Sequence, residues 1–369
     1  MTVKKATVHR MAFPKGRRIL AVSDIHGNLS YLQGLLQQLH FSHDDILILV
    51  GDMVERGLQS LDTLRYIMQL QKDYDVYPIC GNCDAWYRFL DAPSERVDQQ
   101  TRNYIQHGRN GWQNGLLKQM CEGIGITVTD DTDMPALRAA LAEAYADEFA
   151  FLRNLPTVLE TEYYTFVHGG LPEGNWEETE AFRFMKNDAF LQQGRRMDKW
   201  CIVGHWPVVL YGGDITCANP IIDPESRIIS IDGGCVLKDD GQLNALIIPE
   251  YGSESFSFDY YDHFPVREVQ TAQAASARSA YFRYGDNHVR VLERGGEFSL
   301  CEHLRTGYRM EILTKYLRGD DDADCICNDC TDYVLPLSPG DLVSVVEETG
   351  RGFLVKHHGV SGWYYGSLR

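Results

Sequence analysis

The stretch Ile19-Leu20-Ala21-Val22-Ser23-Asp24-Ile25-His26-Gly27-Asn28 decides how this chain is read. Apolar residues run into Ser-Asp-x-His-Gly-Asn, and helical spacing follows. A short apolar run bounded by turn residues predicts a buried strand that ends in a ligand-rich turn. A carboxylate and an imidazole two residues apart at a strand end, beside a glycine, are able to share one metal ion. Taken alone, such a pair is more often the content of an ordinary polar loop.

The pattern recurs downstream. Leu29, Leu32, Leu35, Leu36 and Leu39 form a single helical stripe, with Asn28 placed as its N-cap. A second strand is expected over residues 45–50, running into Gly51-Asp52-Met53-Val54-Glu55-Arg56-Gly57, and a helix over 60–72. A third strand, 76–79, runs into Gly81-Asn82-Cys83-Asp84. Residues 85–131 are more polar and helical in tone. A helix starting near Asp133, with Pro135 in its first turn, carries Leu137, Leu141, Tyr145, Phe149 and Leu152 on one stripe. Strands then return at 163–167, 200–203 and 228–231, ending at His168-Gly169-Gly170, Gly204-His205 and Asp232-Gly233-Gly234, and 243–248 closes the set. Alternating strands and helices put sites at the C-terminal strand ends. The shortage of helix in the second half predicts a two-sheet α/β sandwich.

Composition narrows the function classes. The 369 residues hold 35 basic and 52 acidic side chains, a net charge of −17, which argues against long DNA or RNA as a partner. Ten cysteines are scattered without a compact disulfide framework. Lys4, Lys5 and Arg10 precede no apolar core of a signal peptide. The longest apolar runs, such as 46–50, are strand-sized, so no membrane span is expected. The expectation is a soluble, cytoplasmic protein with reduced thiols.

Past residue 250 the composition shifts. Residues 271–280 read as a linker or short helix, and 289–292 and 310–313 as strands. After the acidic run Asp320-Asp321-Asp322 come Cys325, Cys327 and Cys330, which with Cys301 or a histidine would make half of a zinc pattern; free thiols are the simpler reading. The last forty residues alternate short strands and turns, with Pro339-Gly340-Asp341 and Gly362-Trp363 placed as in an SH3-like barrel. Such a module would bind a peptide or pack within the chain.

SDIHGN, GDMVERG, GNCD, VHGG and GHWP follow one another at 23–28, 51–57, 81–84, 167–170 and 204–207. In order and rough spacing they resemble the calcineurin-like metallophosphoesterases, above all the phosphoprotein phosphatase (PPP) branch. That branch carries GDxHG, GDxVDRG, GNHE, HGG and a GH dipeptide. RGLQSLDTL after Asp52, GWQNG at 111–115, FLRNLP at 151–156, IDGGCV at 231–236 and GQLNAL after it are similar to segments of its bacterial members. The resemblance covers roughly 17–250. It implies a four-layer α/β/β/α sandwich for residues 17–250, preceded by a lead (1–16) and followed by a linker and mixed region (251–330) and an SH3-like β module (331–369).

The resemblance also implies a site. One metal would be held by Asp24, His26 and Asp52, and a second by Asp52, Asn82, His168 and His205, with Asp52 bridging. Two divalent ions are implied, Mn²⁺ first, with Fe or Zn²⁺ as alternatives. Arg56 matches the phosphate-binding arginine, its planar fork suited to two phosphate oxygens. Asn82 and Lys186 are further phosphate-binding candidates, with Arg183 the alternative to Lys186. Catalytic candidates are Asp52, Arg56, Glu55 and Asp84.

Two departures matter. Cys83 stands where GNHE has the histidine that protonates the leaving group, and Glu55 stands where the branch has its orienting aspartate. GNCD is familiar from the small phosphodiesterase branch, whose last motif is GHTH, whereas this chain has Gly204-His205-Trp206-Pro207. Cys83 is then a packed residue in an enzyme with good leaving groups, or it coexists with an acid elsewhere such as His107, or activity is low. The implied function is a metal-dependent phosphoester hydrolase of the serine/threonine phosphatase kind, acting on a phosphorylated protein or a small phosphoester. The rivals are a phosphodiesterase or dinucleoside polyphosphate hydrolase, and a weakly active or non-catalytic scaffold.

Overall fold

The computed structural model describes residues 4–108, 114–319 and 321–369, with the backbone alone at 87 and 88. Gly111-Trp112-Gln113 of the GWQNG segment and Asp320 of the acidic run lie outside the described residues. The chain forms two compact units. The first holds residues up to 206 with 220–236 and 243–261; the second holds 207–219, 237–242 and 262–369.

The first unit is built on two sheets. One has five strands in the order Ser257–Tyr261, Leu243–Ile248, Arg18–Val22, Asp45–Leu49, Val76–Pro78, the last three parallel. The other has six, in the order Val8–Arg10, Val158–Glu160, Tyr164–Val167, Trp200–Val203, Ile228–Ser230, Ile221–Asp223. The period of two along each strand sorts its side chains between two cores. Ile19, Ala21, Ile46 and Ile48 pack with Phe166, Ile202 and Ile229 between the sheets. Leu20, Val22, Leu47 and Leu49 face the opposite way, against the helices Leu29–Gln38 and Ser60–Asp73 through Leu32, Leu35, Leu64 and Ile67. Val167, Cys201 and Val203 on the far face of the six-stranded sheet pack with Phe184 and Phe190. Four layers result, as the resemblance implies. Truncating any one of these buried leucines to alanine is worth about 2–5 kcal/mol of stability.

Local chemistry explains where the elements start and stop. Asp133 caps the helix Met134–Ala144 by accepting from the Ala136 N–H at 3.1 Å, with proline in the first turn. The stripe expected to continue to Leu152 is interrupted: Tyr145 leaves helical geometry, and a second helix, Ala146–Asn154, begins there. Tyr145 is held instead by its hydroxyl, which donates to the Met120 carbonyl at 2.9 Å. Asn28 occupies the N-cap position but does not cap; its amide contacts Cys235 Sγ at 3.3 Å.

The second unit corrects one expectation. Its strands form two open five-stranded sheets and a short pair. One sheet runs Val266–Glu268, Leu342–Glu348, Phe353–His357, Val360–Tyr364, Thr216–Cys217, and the other Arg309–Leu313, Phe298–His303, His288–Glu293, Cys325–Cys327, Leu317–Arg318. Neither closes on itself, so the SH3-like barrel is not what these residues build. The first sheet recruits Thr216–Cys217 and Val266–Glu268 from outside residues 331–369, contributions no motif announced. Residues 251–330, expected to be linker and mixed structure, carry short strands along much of their length, from Ser257–Tyr261 to Cys325–Cys327. All ten cysteines are free. Cys325 and Cys327 donate to the Arg318 and Asn287 carbonyls, and Cys330 lies 3.9 Å from Cys327. Among the described residues, no zinc-like grouping of these thiols occurs. No helix among the described residues is long and apolar enough to cross a membrane.

Candidate metal centre

Every candidate ligand sits just past the end of a strand, and the turns that carry them are zipped together by backbone. The N–H groups of Asp24, His26 and Gly27 donate to the carbonyls of Gly51, Asp52 and Met53 at 2.9–3.0 Å, and Gly57 N–H returns to His26 at 2.8 Å. Gly204 N–H donates to the His168 carbonyl at 2.8 Å. Asp24, His26, Asp52, Glu55, Arg56 and His205 all have positive φ, between 50° and 78°. Six non-glycine residues in this region within one loop cluster is a concentration of backbone strain of the sort found at functional sites. Glycine is required where the turns touch: a Cβ on Gly81 would come within 2.2 Å of the Asp52 backbone nitrogen and carboxylate.

The structure brings the six candidate ligands together. His26 Nε2 lies 3.6 Å from Asp24 Oδ1 and 3.8 Å from Asp52 Oδ2, while His168 Nε2 lies 3.3 Å from Asp52 Oδ1. The Asp24 carboxylate also accepts the His205 N–H at 2.9 Å. Asp24, His26, Asp52 and His168 are buried. Two groups of side chains each place their ligand atoms within 4.8 Å of one another: His26, Asp52 and Cys83, and Asp52, His168 and His205. Asp52 belongs to both.

The donor set suits a divalent cation. Asp24 Oδ1 and His26 Nδ1 are buried with no hydrogen-bond partner. Asn82 presents its carbonyl oxygen toward two acceptors, 2.9 Å from His205 Nδ1 and 3.2 Å from the Met185 carbonyl. Lone pairs converging in this way call either for a reversed amide, whose nitrogen would donate to both acceptors while its oxygen accepts the Cys83 N–H, or for a positive ion. Two imidazoles are oriented from behind, as metal-bound histidines usually are. His168 Nδ1 faces the Val50 carbonyl at 2.8 Å, and His205 Nε2 faces Asp188 Oδ1 at 2.7 Å.

Electrostatics divides the groups. Burial, then the charge of Asp232, pushes the Asp24 carboxyl well up. Asp52 is held below the usual carboxylate range, because His168 and His26 outweigh a burial that would raise it. Against its own burial, His168 is pushed up to about 10 by Asp52 and Asp24. Burial, with positive neighbours, takes His26 down to about 3 and His205 down to about 4. The neighbourhood demands positive charge, and two of its imidazoles keep their lone pairs free.

The remaining candidates fall into separate roles. Arg56 is partly exposed, and no hydrogen bond or ion pair engages it among the described residues. Its charge still reaches the site, since it lowers both His26 and Cys83. Lys186 Nζ lies 2.7 Å from Asp188 Oδ1 and 3.2 Å from His205 Nε2, at the rim. Glu55 is fully engaged elsewhere: it accepts from Trp86 Nε1 at 2.9 Å, the Leu116 N–H at 3.0 Å and the Tyr104 hydroxyl. Asp84 accepts from the Met53, Val54 and Gly81 N–H groups at 2.9, 3.3 and 2.9 Å. Arg183 and His107 are exposed. Cys83 is half-buried, its N–H donating to Asp52 Oδ1 at 2.8 Å; burial and then the Asp52 charge push its thiol well up. Asp188 and Asp232 were missed by the sequence reading. Asp232 lies in a quoted segment, but Asp188 has no spacing signal.

The family described as calcineurin-like phosphoesterase matches residues 17–229. The chain belongs to that family. Among related calcineurin-like proteins, a "Bis(5'-nucleosyl)-tetraphosphatase, symmetrical" from Chromobacterium violaceum is 31% identical over 180 residues, 48% of this chain and 52% of the relative. A "Bis(5'-nucleosyl)-tetraphosphatase PrpE [asymmetrical]" from Oceanobacillus iheyensis is 33% identical over 261 residues, 63% of this chain and 89% of the relative. A "Serine/threonine-protein phosphatase 2" from Escherichia coli is 50% identical over 54 residues, 14% of this chain and 25% of the relative. The chain thus spans about half the length of the first of these relatives.

Proposed function

We propose that this calcineurin-like protein is a two-metal hydrolase of phosphate esters and anhydrides that favours good leaving groups, with dinucleoside polyphosphates as the substrate class. The observation that carries the two-metal part is Asp52, the one side chain common to both ligand groups. Asp24, His26 and Asp52 would hold one ion, and Asp52, Asn82, His168 and His205 the other. Divalent ions held there would supply a bridging water of lowered pKa and a clamp on the phosphate oxygens.

The chain's own residues do the rest. Arg56, without a partner among the described residues, is placed to grip two phosphate oxygens with its fork. Lys186 adds a second positive group at the rim. Asp188 and the Val50 carbonyl hold His205 and His168 in one tautomer. Leaving-group chemistry then selects the substrate. An alkoxide leaving from phosphoserine needs a proton, and the thiol at Cys83 is a weak donor with a short reach. Glu55 and Asp84 are committed to other donors. A phosphate leaving from an anhydride is already a stable anion and needs no such help. Two relatives named as tetraphosphatases accord with this reading. The phosphoprotein reading keeps one specific support, the stretch half identical to the serine/threonine phosphatase.

Turnover of diadenosine tetraphosphate, p-nitrophenyl phosphate, its bis ester and a phosphoserine peptide, each with Mn²⁺, tests the proposal. Diadenosine tetraphosphate is expected to be hydrolysed best. A preference for the phosphopeptide would restore the phosphatase reading. No turnover of any of them, with metal bound, would favour the scaffold.

A further inference from the structure

Cys83 stands at the position expected of a proton donor. Its surroundings describe a different job. Its sulfur lies within 4.8 Å of the ligand atoms of both His26 and Asp52. Two atoms bound to the same zinc-like ion, one sulfur and one nitrogen or oxygen, lie at most about 4.4 Å apart. At tetrahedral angles the same bond lengths put the two atoms about 3.6 Å apart, so a shared ion requires the three side chains to close by about 1 Å at most. The Asn82 amide lies against the sulfur, with Nδ2 at 3.2 Å in one of its two orientations. The reversed amide would instead accept the Cys83 N–H with its oxygen and donate to His205 Nδ1. The main chain fixes the residue as well, through the Cys83 N–H bond to Asp52.

We propose that Cys83 is a thiolate ligand of the ion held by Asp24, His26 and Asp52, making this half of the centre selective for thiophilic metals. The inference rests on the two-metal reading above. Binding releases one proton from Cys83 to solvent for each ion taken up, and the metal–sulfur bond replaces the sulfur–hydrogen bond. Soft thiolate favours Zn²⁺, Fe²⁺ or Co²⁺ over Mn²⁺ and Mg²⁺, which prefer oxygen. A third anion on this ion also damps its pull on electrons, in keeping with substrates whose leaving groups need little help.

Titration of the metal-free 369-residue chain with Co²⁺ tests this. The expected result is a near-ultraviolet sulfur-to-cobalt charge-transfer band that grows with the visible cobalt bands. Cys83→Ser should lose the near-ultraviolet band, keep the visible ones and bind Co²⁺ about tenfold more weakly, at the lower end of what even a supporting group costs. Visible bands without the near-ultraviolet band, or a near-ultraviolet band that survives in C83S, would overturn the assignment and leave the metal centre intact. Failure of the wild-type chain to bind Co²⁺, or undiminished binding by Asp52→Asn, would overturn the two-metal reading and this inference together. Alkylation mapped by mass spectrometry gives a second reading on the wild-type chain alone. Bound Zn²⁺ should slow modification of Cys83 by about tenfold or more, as burial of a thiolate on a metal removes the nucleophile. An unchanged rate with metal bound would count against the proposal.

Discussion

Two kinds of buried carboxylate lie within the same cluster of strand-end turns. Asp24 and Asp52 face imidazoles at 3.3–3.8 Å, and one oxygen of Asp24 has no hydrogen-bond partner. Glu55 and Asp84 each accept three donors from the surrounding chain. Residue type and burial are alike; what differs is the remaining valence. A carboxylate with its lone pairs filled by N–H and O–H groups is a fastener. One that keeps an oxygen without a donor, as Asp24 keeps Oδ1, stays open as a receptor for positive charge.

Substitutions can break this contrast in order of effect. Asp52→Asn should weaken metal binding by more than the roughly 10–100-fold that loss of a supporting group costs, since it strips the charge shared by both ligand groups; calorimetric titration with Mn²⁺ would measure it. Glu55→Ala should act on stability instead. It leaves Trp86 Nε1, the Leu116 N–H and the Tyr104 hydroxyl without their acceptor, a loss of about 2–4 kcal/mol in urea unfolding, with metal affinity retained in the folded protein. A stable E55A that no longer binds metal would erase the distinction drawn above. Asp188→Ala removes the partner of His205 Nε2 and should weaken metal binding by about 10-fold, with little change in unfolding free energy.

The smallest effect sharpens the fastener class at a site away from the metal centre. Asp45 is buried, which alone would raise its pKa, but the Arg18 guanidinium and the Ser42 N–H hold it below its ordinary value. A carboxyl lowered on folding contributes stability above its unfolded pKa and loses it as pH falls through the folded value. Asp45→Asn should therefore cost about 1 kcal/mol at neutral pH, and the gap from wild type should close on acidification. A gap that widened in acid would mean that Asp45 is not the fastened kind.

Much of this contrast can be read from sequence on one side only. The receptor residues were legible because each follows an apolar run and adjoins a glycine, and both signals are local. Asp24, His26 and Asp52 needed no knowledge of the fold to be picked out. Glu55 and Asp84 follow the same runs and looked like equals. Their partners come from residues 53–54, 81, 86, 104 and 116, so only the assembled loops separate fastener from receptor. Asp188 was invisible for a related reason: what matters is its contact with His205, and no spacing encodes it. The strands after 262 were legible as strands, but not their partners, because antiparallel pairing joined Thr216–Cys217 to Val360–Tyr364 across a long separation. The break at Tyr145 was hidden by an apolar stripe that runs through it unchanged.

The Asp24 carboxylate accepts the backbone N–H of a residue 181 positions later. The cradle therefore spans most of the first unit's connectivity, and no early fragment of the chain holds more than part of it. Closing so long a loop is among the slower contributions to folding. A nascent chain that has not yet delivered His168 and His205 carries Asp24, His26, Asp52, Asn82 and Cys83, but lacks both imidazoles of the second ligand group. The second of the two proposed ligand groups, Asp52 with His168 and His205, is thereby completed only in the last stages of assembly, whereas the group that contains Cys83 is encoded within the first 84 residues.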